Sequence, residues 1–181
     1  MLDIVHTQLE GCFVLTTKVF KDNRGWFSES YHQNRFEKAT GYKVDFVQDN
    51  ESYSTEGVLR GLHFQKGEYA QAKLVRAVYG KVLDVVVDCR KNSPTFGQYF
   101  SEILTSENRK QLFVPKGFAH GFYTLSKEAI VQYKCDNYYH KEAESGIIYN
   151  DPELAIDWQL NGRPVLSEKD LQLPRFKDIE I

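Results

Sequence analysis

A histidine inside an otherwise apolar segment is the strongest candidate for chemistry in this sequence. His63 lies in the segment Gly61–Gln65, which follows Val58–Arg60 and has the pattern of a β-strand. Arg60 places a permanent cation close to the imidazole, and this pairing indicates proton transfer on an anionic substrate. Metal-binding barrels usually carry two histidines on such a strand as H-x-H, whereas Gln65 stands two residues after His63. The segment therefore disfavours an iron or zinc centre.

A lysine in the segment Lys73–Tyr79 is predicted to point inward. Successive side chains of a strand alternate between its two faces, so Lys73 shares a face with Val75 and Ala77. Its ammonium group would then enter a partly apolar interior unless the chain end reaches solvent. A lysine in that position needs an anionic or carbonyl partner.

The same alternation predicts one apolar and one partly polar face for the segment Val82–Cys89. Asp84 and Asp88 fall on the face of Val82 and Val86, whereas every side chain on the opposite face is apolar. The sheet is therefore expected to have one dry face and one face that lines a polar cavity.

Tyr133 is the third candidate that points inward. It lies on the same face as Ala129, Val131 and Cys135, where a phenol hydroxyl needs a hydrogen-bond partner. Taken singly, Tyr133, Lys73 and His63 each have a simpler structural explanation in the core or at the surface. Their functional interpretation depends on their being brought together.

The elements that must position these residues are mainly strands. Short apolar segments of period two, separated by glycine, proline and polar turns, are typical of an all-β sandwich or barrel. A helix is predicted at Tyr31–Thr40 with Gly41 as its C-cap, and short helices are expected in the proline-containing tail after Asn150. A bulge at Gly61 would let Arg60 and His63 face the same space. The predicted strands are Lys73–Tyr79, Val82–Cys89, Lys110–Val114, Ala119–Leu125 and Glu128–Tyr133, with the first two joined as a hairpin through Gly80-Lys81.

Composition limits the classes of function. The 181 residues fit one domain over 1–181, and 41% hydrophobic with 27% charged residues are ordinary values for a globular protein. The formal net charge of −2 gives no general attraction to nucleic acid or anionic lipid, so neither partner is expected. No segment reaches the roughly 18 apolar residues of a membrane span, and the first residues lack a signal-peptide pattern, so we expect a cytoplasmic protein. The three cysteines are expected to be buried thiols.

Several longer motifs resemble one enzyme family when they are taken in order. The resemblance runs from about Val19 to Asp170 and is to the dTDP-4-dehydrorhamnose 3,5-epimerase family. The motifs are FKDNRGWFSE at 20–29, FVQDN at 46–50, GVLRGLHFQ at 57–65, VPKGFAHGF at 114–122, NDP at 150–152 and LSEKD at 166–170. Their number and order make the resemblance specific.

The resemblance implies a fold, an activity and an assembly. The fold would be an all-β cupin jelly-roll barrel with a few short helices, mainly near the C-terminus. The reaction would convert dTDP-4-dehydro-6-deoxy-D-glucose into dTDP-4-dehydro-L-rhamnose by deprotonation and reprotonation at C3 and C5. The resemblance further implies no metal, no cofactor, and a homodimer formed by strands that pair across the interface.

The resemblance also implies residue roles. His63 would be the general base with Asp170 as its partner, Tyr133 the proton donor on the far face of the sugar, and Lys73 the cation near the C4 oxygen. Asp84 would contact the substrate or hold His120 or Lys73 in place. The expected substrate-binding residues are Phe20, Arg24, Phe27, Glu29, Gln48, Asn50, Arg60, Asp84, His120, Glu144 and Lys169.

Three alternatives remain open from sequence. A relative that epimerises only C3 or only C5 of another nucleotide-linked 4-keto sugar would keep the same base and acid. A non-catalytic cupin that binds a nucleotide sugar would not need His63, Asp170 and Tyr133 together. A metal-dependent cupin is disfavoured by the missing H-x-H pair.

Overall fold

The computed structural model describes residues 2–180, and most of its regular structure is antiparallel strand. Within these residues the strands are β1 (Leu2–His6), β2 (Phe13–Thr17), β3 (Phe20–Asp22), β4 (Gly25–Phe27), β5 (Gln48–Thr55), β6 (Leu59–Gln65), β7 (Lys73–Tyr79), β8 (Lys81–Asp88), β9 (Tyr99–Thr105), β10 (Lys110–Val114), β11 (Phe118–Thr124), β12 (Glu128–Cys135) and β13 (Glu144–Gly146). The α-helices are α1 (Gln33–Thr40) and α2 (Glu168–Leu171), and single 3-10 turns lie at Gly67–Tyr69, Lys141–Ala143 and Phe176–Asp178.

Two large sheets form the walls of a jelly-roll barrel. In the part of the chain that the structure describes, one sheet has six strands in the order β1-β2-β10-β7-β12-β5. The other has five in the order β13-β6-β11-β8-β9. The small hairpin of β3 and β4 pairs only with itself and is called here the arm (residues 20–27). The predicted all-β cupin jelly roll is confirmed, and three of the five short helices lie after residue 140.

The hydrophobic core has one inner layer and two outer layers. The inner layer lies between the sheets and includes Val75 and Val131 from one wall and Val86 from the other. An outer layer on the five-stranded sheet is covered by the C-terminal segment, with Trp158 among its buried side chains. The outer layer of the six-stranded sheet is covered by α1 through Phe36. Each sheet is therefore fixed from both faces, which holds the inward-pointing side chains in place.

Side-chain alternation predicted the faces of β7, β8 and β12 correctly. Val75 and Ala77 of β7 lie in the inner layer, so Lys73 belongs to the inner face. The two faces of β8 also separate as predicted, with Val82 and Val86 inside and Leu83, Val85, Val87 and Cys89 in the outer layer.

The predicted hairpin of β7 and β8 is wrong. Strand β7 pairs with β10 and β12, whereas β8 pairs with β9 and β11, so the two strands lie in different sheets. Gly80, at φ 72°, carries the chain across, and a Cβ there would lie 2.0 Å from the carbonyl oxygen of Glu128. A tight glycine turn fits either a hairpin or a corner between sheets. Both strands carry apolar side chains on both faces. When the chain passes from one sheet to the other at Gly80, each strand is covered on one face by the inner core layer and on the other by an outer layer.

Helix α1 and the bulge at Gly61 are confirmed. The helix ends at Gly41 in the left-handed conformation, as its C-cap pattern predicts. Arg60 and His63 are three residues apart on β6, but their partners on β11, Phe122 and His120, are two residues apart. Strand β6 therefore contains one extra residue at this point. Gly61 has φ 114°, and a Cβ there would lie 2.6 Å from the backbone of β11, a position that only glycine fits.

Two sequence-based expectations concern the chain as a whole. No helix within residues 2–180 is long and apolar enough to cross a membrane. Cys12, Cys89 and Cys135 are buried free thiols, as predicted. Burial raises the pKa of Cys12 and Cys89 to about 12, so both thiols stay protonated at neutral pH.

Candidate active site

The main cavity lies inside the barrel and has a volume of about 470 Å³. Both sheets and the helix α2 contribute to its lining. Its polar lining includes Arg60, His63, Lys73, His120, Tyr133, Lys169 and Asp170. The four residues predicted to be catalytic are therefore brought together in one space.

A second cavity of about 280 Å³ adjoins the first. His63, Lys73 and Tyr133 line both cavities, so they stand at the junction of one continuous cleft. The second cavity also contains three of the expected substrate-binding side chains, Gln48, Asn50 and Glu144.

His63 and Asp170 form a dyad at the cavity wall. The Nε2–H of His63 donates to Oδ1 of Asp170 at 2.7 Å, and the backbone N–H of Gly61 lies 3.4 Å from Oδ2. Ser167 is the N-cap of α2, and its Oγ accepts from the backbone N–H of Asp170 at 3.1 Å. Nδ1 of His63 makes no hydrogen bond to any described residue, which leaves it to take a proton from a bound molecule.

The dyad carboxylate is held in its charged form. Burial acts to raise the pKa of Asp170, but hydrogen bonds from His63, Gly61 and Ser167 outweigh it, so the pKa lies below its usual range. A carboxylate at this position stabilises an imidazolium on His63 and fixes the tautomer of the neutral ring.

Lys73 and Tyr133 occupy the wall opposite His63. They lie on β7 and β12 of the six-stranded sheet, whereas His63 lies on β6 of the five-stranded sheet. Nζ of Lys73 is 5.9 Å from the centre of the Tyr133 ring. A molecule bound between the walls would therefore meet an imidazole on one side and a phenol with an ammonium group on the other.

Burial tunes both groups on that wall. Burial lowers the pKa of Lys73 and raises the pKa of Tyr133, so the phenol stays protonated at neutral pH. Within residues 2–180, Lys73 forms no salt bridge. A partly buried ammonium group without a carboxylate partner favours a ligand oxygen that carries negative charge.

A second histidine–aspartate pair lies beside the dyad. His120 of β11 is directly opposite His63 of β6, and its Nε2–H lies 3.0 Å from both oxygens of Asp84. Asp84 is completely buried and does not line the cavity, so of its two expected roles the structure favours that of holding a neighbouring side chain. It holds His120 in place, because its inward side chain on β8 ends against the His120 ring.

The cationic side chains at the cavity entrance are oriented by hydrogen bonds. Nε of Arg60 donates to Oγ of Ser54 at 3.0 Å, and a terminal nitrogen of its guanidinium donates to the carbonyl oxygen of Tyr53 at 3.0 Å. Lys169 of α2 forms a short ion pair with Glu144 of β13, and both elements contact β6. These contacts place two cations near the dyad.

Four expected nucleotide contacts do not reach this cleft within one chain. Three of them, Phe20, Arg24 and Phe27, lie on the arm. The Arg24 side chain is 86% exposed and pairs with Asp22, and Phe27 is 67% exposed. Phe20 and Glu29 line a separate surface pocket beside α1. Within one chain these four side chains therefore lie away from the cleft around His63. The arm pairs only with itself, and its Trp26 ring stacks on the guanidinium group of Arg109 at 3.3 Å.

Comparison with known proteins identifies the family. The family model described as dTDP-4-dehydrorhamnose 3,5-epimerase matches residues 6–178. The chain is 51% identical over 172 residues to the dTDP-4-dehydrorhamnose 3,5-epimerase of Escherichia coli strain K12, covering 95% of this chain and 93% of that protein. The chain belongs to the dTDP-4-dehydrorhamnose 3,5-epimerase family.

Other relatives of the epimerase family agree. The dTDP-4-dehydrorhamnose 3,5-epimerase of Pseudomonas aeruginosa is 54% identical over 163 residues, which cover 90% of each protein. A solved dTDP-6-deoxy-D-glucose-3,5-epimerase of Legionella pneumophila, in complex with dTDP-4-keto-L-rhamnose, superposes with a TM-score of 0.96. It is 47% identical, with 99% of this chain and 95% of that chain covered. The chain is thus an isomerase of this family, which confirms the resemblance found in the sequence.

The epimerase cleft contains an aromatic residue that sequence reasoning missed. Tyr139 lines the second cavity, and its hydroxyl donates to Oε2 of Glu144 at 2.7 Å. Burial acts to raise the pKa of Glu144, but Lys169 and Tyr139 outweigh it and hold the pKa below its usual range. Tyr139 lies on the loop after β12, where strand periodicity gives no information about side-chain direction.

Gln65 occupies the position where a metal-binding cupin would carry its second histidine. Its amide donates to the carbonyl oxygens of Tyr69 and Tyr138, and its oxygen accepts from the backbone N–H of His140. These bonds fix the loop that carries Tyr139. Among residues 2–180, no group of three histidine, cysteine or acidic side chains is arranged to hold a metal ion.

Proposed function

We propose that this protein converts dTDP-4-dehydro-6-deoxy-D-glucose into dTDP-4-dehydro-L-rhamnose by epimerising C3 and C5. The observation that carries the proposal is the His63–Asp170 dyad on one wall of the cleft, facing Tyr133 and Lys73 on the other. Relatives named for this reaction are about half identical to the chain over nearly its whole length, which supports the same conclusion.

The mechanism uses one base and one acid on opposite faces of the sugar. The C4 ketone acidifies the hydrogens on C3 and C5, so Nδ1 of His63 can take either proton while the electron pair moves to the C4 oxygen. Asp170 stabilises the resulting imidazolium, and the ammonium group of Lys73 stabilises the enolate oxygen. Tyr133 then returns a proton to the opposite face of the same carbon, and the enolate collapses back to the ketone with inverted configuration. Before the second carbon reacts, the imidazolium of His63 gives its proton to solvent and the phenolate of Tyr133 takes one from solvent.

The diphosphate is assigned to the part of the cleft that holds Arg60 and Lys169. Both supply positive charge, and the guanidinium fork of Arg60 matches phosphate oxygens. Gln48, Asn50 and Tyr139 line the cavity on the other side of the reacting groups, where they offer two amides and an aromatic ring to the bound molecule.

We further propose that the active protein is a homodimer. The arm exposes Phe20, Trp26 and Phe27, each more than half exposed in the single chain. Exposed aromatic side chains on a hairpin are suited to contact a second copy. In that assembly, the arm and the residues next to it would supply Phe20, Arg24, Phe27 and Glu29 to the cleft of the other subunit.

Some parts of this proposal rest on the sequence alone. A single domain over 1–181, a cytoplasmic location and a reaction without metal or cofactor remain predictions. The reaction prediction is tested by assaying protein that has been dialysed against a chelator and checked for residual metal.

The second candidate function is epimerisation at C3 alone. The solved structure of a 3′-monoepimerase from Streptomyces bikiniensis, in complex with dTDP-quinovose, superposes with a TM-score of 0.89 at 31% identity. It covers 94% of this chain and 86% of that chain, so the same barrel serves both outcomes. The higher identity to proteins named 3,5-epimerases favours inversion at both carbons.

Solvent exchange distinguishes these possibilities. Metal-stripped protein is incubated with dTDP-4-keto-6-deoxyglucose in deuterated water, and deuterium in the recovered sugar is located by NMR. Label at both C3 and C5 is expected. Label at one carbon would support the monoepimerase, and absence of label with intact binding would overturn the enzymatic proposal for this substrate.

A further inference from the structure

The aromatic residue Tyr139 is held in the cleft mainly by hydrogen bonds. It lines the second cavity, lies on the loop after β12 and is 53% exposed, so packing covers less than half of it. Exposed side chains on loops normally exchange between rotamers. Its hydroxyl donates to Oε2 of Glu144 at 2.7 Å, which fixes the far end of the side chain. The near end is fixed by the backbone on either side.

Both peptide groups that flank the Cα of Tyr139 are bonded to side chains of neighbouring strands. In the first group, the carbonyl oxygen of Tyr138 accepts from Nε2 of Gln65 at 3.2 Å. The N–H of the same group, that of Tyr139, donates to Oε1 of Gln48 at 3.0 Å. In the second group, the N–H of His140 donates to Oε1 of Gln65 at 2.7 Å. Gln65 therefore bonds to one atom on each side of Tyr139, which sets the direction of its Cα–Cβ bond.

The amide of Gln65 has no hydrogen left for a ligand. Its second N–H donates to the carbonyl oxygen of Tyr69 at 3.0 Å, and the residue is only 7% exposed. A glutamine amide carries two donor hydrogens, and both are used within the protein. Gln65 therefore acts on the cleft through the loop that it holds.

Gln65 joins two loops that also pack on each other. The rings of Tyr69 and His140 stack with their centroids 4.0 Å apart and an angle of 15° between their planes. The same strand supplies the base, because His63 and Gln65 are two residues apart on β6 and share a face. Strand β6 thus presents the base and fixes the orientation of Tyr139.

We propose that Gln65 is a positioning residue that holds the Tyr139 ring in the orientation required by a bound nucleotide sugar. The inference rests on the proposed function, which places a nucleotide sugar in this cleft. Ordering a loop during binding costs free energy, and a loop that is already ordered avoids this cost. Gln65 therefore raises the affinity for the nucleotide and takes no part in proton transfer.

The test is a double-mutant cycle between Gln65→Met and Tyr139→Ala. Methionine has a similar length and lacks the amide. The Kd for dTDP is measured by calorimetry in wild type, both single variants and the double variant. Gln65→Met should raise the Kd about tenfold, and Tyr139→Ala should raise it at least as much. In the Tyr139→Ala background, Gln65→Met should cause no further rise, because both changes remove the same contact.

Steady-state kinetics separate positioning from catalysis. In Gln65→Met, KM for the 4-keto substrate should rise in the same proportion as the Kd for dTDP, while kcat changes by less than about threefold.

Asp151→Asn is the control for a general loss of stability. Asp151 is also buried, and it accepts from the backbone N–H groups of Glu153, Leu154 and Phe176. It lines neither cavity of the cleft. Asp151→Asn should lower the Tm and leave the Kd for dTDP unchanged.

Amide hydrogen exchange in the wild type tests the bonds without relying on a variant that folds. The N–H groups of Tyr139 and His140 should exchange slowly, although Tyr139 is more than half exposed. Exchange at the rate of an unstructured peptide would overturn the inference.

Three further outcomes would also overturn it. An unchanged Kd in Gln65→Met would show that the ring needs no positioning for binding. Additive effects in the double variant would show that Gln65 acts on the ligand by a route other than Tyr139. A weaker dimer with normal affinity for dTDP would assign the ring to contact with the second copy. Turnover of the 4-keto substrate is measured first in wild type, so failure of the proposed function is seen before any variant is compared.

Discussion

Nε2 of His63 and Oδ1 of Asp170 lie 2.7 Å apart, although 107 residues separate them in the chain. The two side chains meet because the C-terminal segment, after covering the outer face of the five-stranded sheet, ends in helix α2 beside β6. The N-cap Ser167 and the bulge at Gly61 both bond to Asp170, so the carboxylate is fixed from its backbone and its side chain. The dyad is thus part of the fold as well as of the site.

Asp170→Asn should lower kcat by at least about a hundredfold. The amide cannot stabilise the imidazolium, and it can hold the neutral ring in the wrong tautomer. The measurement is kcat as a function of pH for wild type and variant. In the wild type the carboxylate stays charged to a lower pH than an ordinary aspartate, because its pKa is lowered. Wild-type kcat in Asp170→Asn would rule out the dyad.

Lys73→Met should lower kcat/KM by about a hundredfold, because an oxyanion donor contributes about 3 kcal/mol to transition-state stabilisation. The free energy of unfolding should stay the same or rise, because the variant no longer buries an ammonium group without a carboxylate partner. Steady-state kinetics and urea unfolding measure the two effects separately. A variant with normal kinetics would leave the enolate without its proposed cation.

Asp88 should control stability at acid pH without affecting catalysis. Burial acts to raise its pKa, but bonds from Arg90, Ser93 and Thr95 lower the pKa to about 2. The unfolded state, with a pKa near about 3.9, binds more protons between these values, so stability falls as pH drops through that range. The loss should be about 2.6 kcal/mol in wild type and absent in Asp88→Asn, as measured by urea unfolding across pH. The same acid slope in both proteins would contradict this assignment.

The proposed dimer predicts complementation between two inactive variants. Arg24→Ala lacks a residue of the arm, and His63→Ala lacks the base of the barrel. If the arm acts on the other subunit, each mixed dimer contains one cleft with both residues intact, so it should have about half of the wild-type activity. Because random reassembly makes about half of the dimers mixed, the mixture as a whole should recover about a quarter. Each variant alone, taken through the same procedure, is the control. No recovery with confirmed subunit exchange would place the arm's function within its own chain or outside catalysis.

Strand alternation predicted the direction of side chains but not the partners of strands. Lys73 and Tyr133 face the interior as the period-two pattern requires, because burial on one face fixes which residues point inward. The hairpin of β7 and β8 was wrong because a glycine turn is compatible with a corner between sheets as well as with a hairpin. Strand β5 was not predicted, since its polar sequence at an edge shows no apolar alternation.

The composition of the site was harder to predict than its chemistry. Asp170 came only from family resemblance, because no local pattern links it to a strand more than a hundred residues away. Tyr139 was missed because it lies on a loop, where strand periodicity does not apply. In the proposed dimer, Arg24 would act in the cleft of the other subunit, which the pattern of one chain does not encode.

The central claim is that one base, His63, removes protons from both carbons and that Tyr133 returns them. The direct measurement is deuterium exchange and inversion at C3 and C5, followed by NMR in deuterated water for His63→Ala and Tyr133→Phe. His63→Ala should lose exchange at both carbons, whereas Tyr133→Phe should lose inversion more than exchange. Equal loss of exchange and inversion in both variants would contradict the division of roles between the two walls of the cleft.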